Sequence, residues 1–159
     1  MTRPSSSRVR AFGDELLAVH DDLRNRLRAL RSAPSRGHGL REHCAAFCRA
    51  LTTHHTSEDA SAFPLLAAAA PELRPVLAKL AEDHVLVASL LTQVEELVAA
   101  LPPEPSDVEL TRFAQSIDGI AAIMESHFTF EERRIRDALD RLDPGAHTGE
   151  ELFGITPAR

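Results

Sequence analysis

The chain has 159 residues, which suits one domain around one core. Its 43% hydrophobic and 26% charged residues are ordinary for a globular protein, and a net charge of −6 excludes a chain built to coat nucleic acid or an anionic membrane. No apolar run approaches the ~20 residues of a membrane span, and two cysteines make no disulfide framework.

The first residues, "MTRPSSSRVR", are basic and lack the apolar run of a secretion signal, so residues 1–8 read as a disordered arm. A helical domain is predicted over 9–142 and a tail over 143–159. Four stretches punctuate the chain: "SAPSRGHG" (32–39), "FPLLAAAAPEL" with Pro64 and Pro71, "LPPEPSD" (101–107) and "DPGAHTG" (143–149). Four segments of helical length lie between them, with no alternating strand pattern. Pro71 suits the first turn of the third helix, and Ser106 with Glu109 reads as a capping box opening the fourth. Short connections between long helices imply antiparallel neighbours. The predicted fold is therefore an all-α, up-down-up-down four-helix bundle. Cys44 and Cys48, four residues apart, read as small apolar core residues, which points to a reducing cytoplasm.

The apolar seams locate the chemistry. The first runs Leu16, His20, Leu23, Leu27, Leu30. The second runs Cys44, Phe47, Leu51, His54, Glu58. The third runs Leu77, Leu80, His84, Val87, Leu91, Val94. The fourth runs Phe113, Ile117, Ile120, Met124, His127, Glu131. Histidine interrupts every seam once, and in the second and fourth a glutamate follows one turn on. At ~1.5 Å per residue, His20 lies ~17 Å and His54 ~21 Å from the first turn. His54 and His84 each lie ~20 Å from the second, and His84 and His127 lie ~26 and ~30 Å from the third. All four histidines thus reach one layer. His54 continues its seam, whereas His55 lies ~100° further round and is expected to flank it. His38 and His147 fall in loops, and His43 flanks the second seam.

Two carboxylates in an apolar core are costly without cations, and no Lys or Arg interrupts the seams at this level. Metal ions supply the missing charge. Six donors are too many for one ordinary ion; two ions, each with two histidines and sharing two bridging glutamates, use them all. Mixed His/carboxylate bundles of this kind hold di-iron or di-manganese, which favours iron. Manganese or zinc also suits the donors, and zinc would leave a structural role.

The order His, His-xxx-Glu, His, His-xxx-Glu, with "HHTSEDASAFPLL" followed by "PELRPVLAKLAEDH", resembles the hemerythrin-like (HHE cation-binding) family over roughly residues 10–142. The resemblance implies one iron on His20 and His54, a second on His84 and His127, bridging by Glu58 and Glu131, and an oxo or hydroxo group between the irons. Oxygen-carrying members have a fifth histidine one turn before the position of His84. Here that position is Leu80, and no Tyr is present to replace it. Glu82 and Asp83 lie off the seam. The iron on His84 is therefore expected to keep an open position holding water.

Two functions follow from the resemblance and that open position. In one the centre binds or reacts with O2, NO or peroxide. In the other it is an oxygenase or oxidase acting on a small organic substrate beside His84, drawing on an electron donor, with Ala81, Ala88 and the alanines at 67–70 leaving room. Whether the chain turns over a substrate is left open by the residues. Replacing His55 is expected to leave metal content unchanged. No nucleic-acid or membrane partner is expected.

Overall fold

A computed structural model describes residues 11–32 and 39–157. The expected arm over 1–8 and the loop histidine His38 lie outside the described residues. The described residues contain helices and no strand. The helices are α1 (Phe12–Ser32), α2 (Leu40–Ser57), α3 (Phe63–Ala69), α4 (Arg74–Ala100), α5 (Asp107–Asp140) and α6 (Gly149–Phe153). Among them α1 packs on α2 and α5, and α4 packs on α2 and α5. No described helix is long and apolar enough to cross a membrane.

The 3-4 spacing of apolar residues becomes the buried stripe of each long helix. On α1 that stripe includes Leu16, Leu23, Leu27 and Leu30; on α5 it includes Phe113, Ile117, Ile120, Met124, Ile135 and Leu139. The α1–α5 seam is bordered by polar pairs. The Gly13 amide donates to Asp140 (3.0 Å), Arg24 to Glu125 (2.8 Å) and Arg31 to Asp118 (2.7 Å). Rising numbers on α1 meet falling numbers on α5. The two exposed ion pairs, Arg24–Glu125 and Arg31–Asp118, fix register more than they add stability, since such pairs contribute about 1 kcal/mol or less. Ser106 caps α5 as expected: its hydroxyl accepts from the Glu109 amide at 3.2 Å and donates to the Glu109 carboxylate at 2.9 Å.

The second break differs from expectation. The helix does not stop at Pro64. It runs from Leu40 to Ala69 through one wide π turn, Glu58–Ala62. Proline lacks an amide hydrogen, and its ring crowds the carbonyl four residues back. Widening the preceding turn relieves that crowding: the Phe63 amide donates to the Glu58 carbonyl, five residues earlier. The break comes at Ala70, with φ −137° and ψ 77°. Pro71 then sits in a short 3-10 turn, Pro71–Leu73, and it is Pro75 that occupies the first turn of α4.

The segment expected as a tail contains α6. Its Leu152 and Phe153 are buried, and it packs on α1, α2 and the π turn.

Candidate metal centre

Among the described residues the buried polar or charged side chains are seven: His20, His54, His55, Glu58, His84, His127 and Glu131. Six are the residues that the seams single out, and the structure brings all six together. The seventh, His55, corrects the expectation that it flanks the seam. It is buried, and its ring stacks on that of His84 at 3.8 Å and 11°. Both members of the "HH" pair face inward because they close α2 directly before the π turn, where the buried face is broad enough for neighbours ~100° apart. The signal was present in the sequence: a proline inside a helical run, six residues after a glutamate, marks a distorted turn. His43 is exposed, and the half-exposed His147 pairs with Glu151 at 3.1 Å.

The donor atoms fall into two groups, each able to hold an ion. His20, His54, Glu58 and Glu131 form the enclosed group, all fully buried. His55, His84 and His127 form the outer group, each about 6% exposed. The two carboxylates span the groups. Glu58 Oε1 lies 3.1 Å from His54 Nε2 and 3.7 Å from His84 Nε2. Glu131 Oε2 lies 3.8 Å from His20 Nε2 and 3.5 Å from His127 Nε2. Two donors each ~2.1 Å from one ion sit roughly 3–4 Å apart, so the spacing fits.

A second observation supports the fit. Nε2 of all five histidines and both oxygens of both glutamates are buried without a hydrogen-bond partner. Buried polar atoms are almost always satisfied, so convergent orphans suit a place where an ion could sit. Electrostatics agrees. Burial is the main force lowering the pKa of His20, His54, His55, His84 and His127, which keeps their rings neutral, the state a ligand needs. Burial likewise raises Glu58 and Glu131, Glu131 to about 7. Without a cation, burial favours the protonated form of both carboxylates; a cation in their midst would displace the proton.

The outer ring nitrogens are aimed from several places. His20 Nδ1 lies 2.9 Å from Glu132, which Arg24 holds from behind at 2.9 Å. His84 Nδ1 lies 2.9 Å from Asp59, whereas His127 Nδ1 is 3.8 Å from Asp83, beyond hydrogen-bond reach. His54 Nδ1 meets the backbone carbonyl of Phe153 at 2.9 Å. Such partners fix the tautomer of a ligating histidine. Sequence reasoning missed Asp59, Glu132 and Phe153, because their positions follow no apolar periodicity. Aromatic rings close the layer: Phe128 lies 4.4 Å from the His20 ring and Phe63 lies 5.5 Å from that of His84.

The vacancy expected beside His84 also changes. Leu80 is fully buried among apolar residues, and His55 lies on the His84 side instead. The outer group then has three histidines and the enclosed group two, with the carboxylates shared. Ala68, Ala69 and Ala88 are exposed rather than disposed around the centre. One surface cavity of about 540 Å³ is lined by Leu90, Leu97, Ile120 and Ile123, and none of the seven buried donors lines it.

The family model for the hemerythrin HHE cation-binding domain matches residues 12–139. Comparison with curated proteins and with solved structures gives no match.

Proposed function

The chain belongs to the hemerythrin HHE cation-binding family, and from that premise we propose that it is a non-heme di-iron protein that binds or reacts with O2, NO or peroxide. The proposed architecture is the antiparallel up-down-up-down bundle. The observation that carries the reading is the span of Glu58 and Glu131, each within 4 Å of one histidine from either donor group. Carboxylates so placed could share their charge between two cations. Imidazole with carboxylate suits iron.

A bound iron pair would supply the electrons for chemistry on a small diatomic or peroxide ligand. The chain's own residues do the rest. His20 and His54 with the shared carboxylates offer fewer donors than His55, His84 and His127 with the same carboxylates. In this reading a ligand enters on the His20/His54 side, the reverse of the expectation built on Leu80. That side is fully buried, and Phe128 on His20 and Phe153 near His54 exclude water. Such buried, largely apolar surroundings favour a small uncharged ligand over an organic substrate. Two free, buried cysteines fit a reducing compartment, and we place the protein in the cytoplasm on that basis.

The test is anaerobic reconstitution with ferrous iron, followed by metal analysis and optical spectra on adding O2 and NO. Two irons per chain and a spectral change on gas addition are expected. Fewer than one iron per chain, or an inert centre, overturns the reading. A long-lived adduct identifies a carrier or sensor, and rapid oxidation with turnover of peroxide or a donor identifies an enzyme.

A further inference from the structure

Of the histidines in the enclosed donor group, His20 is aimed by Glu132, a side chain of the long helix α5, whereas His54 is aimed by the far end of the chain. The partner of His54 is the Phe153 carbonyl, 99 residues away and beyond the segment that matches the family. A carbonyl can only accept, so the proton sits on His54 Nδ1 and the lone pair of Nε2 points at Glu58, 3.1 Å away.

Several features hold that carbonyl in place. Thr148 caps α6, its hydroxyl accepting from the Glu151 amide at 3.1 Å. Leu152 and Phe153 are buried at 1% and 0% exposure, so α6 is anchored by its apolar side. Gly154 ends the helix at φ 77°, a region that favours glycine, with its amide donating to Glu150 at 2.8 Å. A Cβ at Gly154 would lie 2.6 Å from the Thr53 carbonyl and 2.5 Å from the Ser57 hydroxyl. Thr53 and Ser57 flank His54 on α2, so the strap runs against the backbone that carries the ligand.

We propose that α6 and Gly154 form a strap whose Phe153 carbonyl sets the tautomer and aim of His54, so that the C-terminal segment completes the enclosed half of the metal centre. The proposal rests on the metal-binding reading above, but its first readout needs no metal. Phe153 acts through His54 and is a positioning residue. Loss of such an outer partner typically lowers metal affinity by about 10–100-fold. The loss falls on the ion held by His20 and His54; in the other group His84 is aimed by Asp59 instead.

The experiment compares the full chain, Gly154→Ala and a chain ending at Thr148. With metal absent and histidine labelled with ¹⁵N, long-range ¹H–¹⁵N spectra report the His54 tautomer. The full chain is expected to show His54 protonated at Nδ1, and both variants to show mixed tautomers. Cobalt(II) titration then reads the ions separately: two tight ions in the full chain, and one unchanged with one about 10–100-fold weaker in each variant. Circular dichroism checks that helix content is kept. An unchanged His54 tautomer in a folded Gly154→Ala chain, or two ions of unchanged affinity, overturns the proposal. So does equal weakening of both ions with loss of helix, which marks the strap as a general support. If the full chain binds fewer than two cobalt ions, the two-metal reading fails, and the tautomer spectra alone decide the role of the strap.

Discussion

The two halves of the centre are made from the same residue types yet differ in enclosure. The His20/His54 half is fully buried. It is aimed by Glu132, itself held by Arg24, and by a backbone carbonyl from the C-terminal strap. The His55/His84/His127 half has an additional histidine but lies nearer the surface; there His84 is aimed by Asp59, which is 42% exposed, and Asp83 stands 3.8 Å from His127. In the proposed reading the extra donors on the outer side would hold an ion there, while fewer donors in a dry enclosure would leave room for a small ligand. The halves communicate through Glu58 and Glu131, so neither is independent.

Breaking that link has the largest expected effect. Glu58→Ala or Glu131→Ala removes a carboxylate that both halves share, and bound metal is expected to fall from two ions to one or none. Metal analysis after gel filtration measures this; full occupancy in either variant would show that the carboxylates do not bridge.

Single histidines separate the halves. His54→Ala is expected to empty the enclosed half, and His55→Ala, which removes a direct donor, to weaken the outer ion by more than the ~10–100-fold typical of losing a ligand's outer partner. Chelator competition distinguishes the two. Unchanged affinity in His55→Ala would restore the reading of His55 as a flanking residue and return the vacancy to the His84 side.

Acid probes the metal-free layer as a whole. Folding lowers the pKa of five histidines, His127 to about 4. Their stabilising contribution is present above about 6.5, the ordinary value, and is lost as pH falls toward the folded values, because the unfolded chain takes up those protons first. Glu58 and Glu131 shift upward, so their contribution is present below about 4.5, the ordinary value, and is lost as pH rises through the folded values, about 7 for Glu131. Across about pH 6.5 to 4 the carboxylates regain their contribution while the histidines lose theirs; with three of the five rings lowered well below the ordinary value, the histidines are expected to outweigh the carboxylates and the metal-free chain to lose stability. Urea midpoints across that range measure it. A flat profile would mean that the histidines are not buried together without metal. Above neutral pH the carboxylates dominate, and Glu58→Gln is expected to stabilise the metal-free chain by on the order of 1 kcal/mol while weakening metal binding.

The smallest effect is expected at Asp59. Asp59→Asn leaves His84 Nδ1 an amide partner and access to solvent, so the outer ion should weaken by about tenfold or less. A larger loss than in His55→Ala would make Asp59 itself a ligand.

The helical seams and the layer that they define were legible in the sequence. A 3.6-residue period and a fixed rise are local properties, so Leu16, His20 and Leu23 announce one face of α1, and the same arithmetic brings His54, Glu58, His84, His127 and Glu131 to its level. The family followed from that order of residues. Tertiary structure decided the remainder. Pro64 lies within a continuous helix because a π turn opens before it, and His55 faces inward beside that turn. Glu132 reaches His20 across 112 residues, and the Phe153 carbonyl reaches His54 across 99. Such contacts carry no period. They form when separate helices bury their apolar faces on one another, and the polar groups left between those faces must find partners at whatever sequence distance the packing sets.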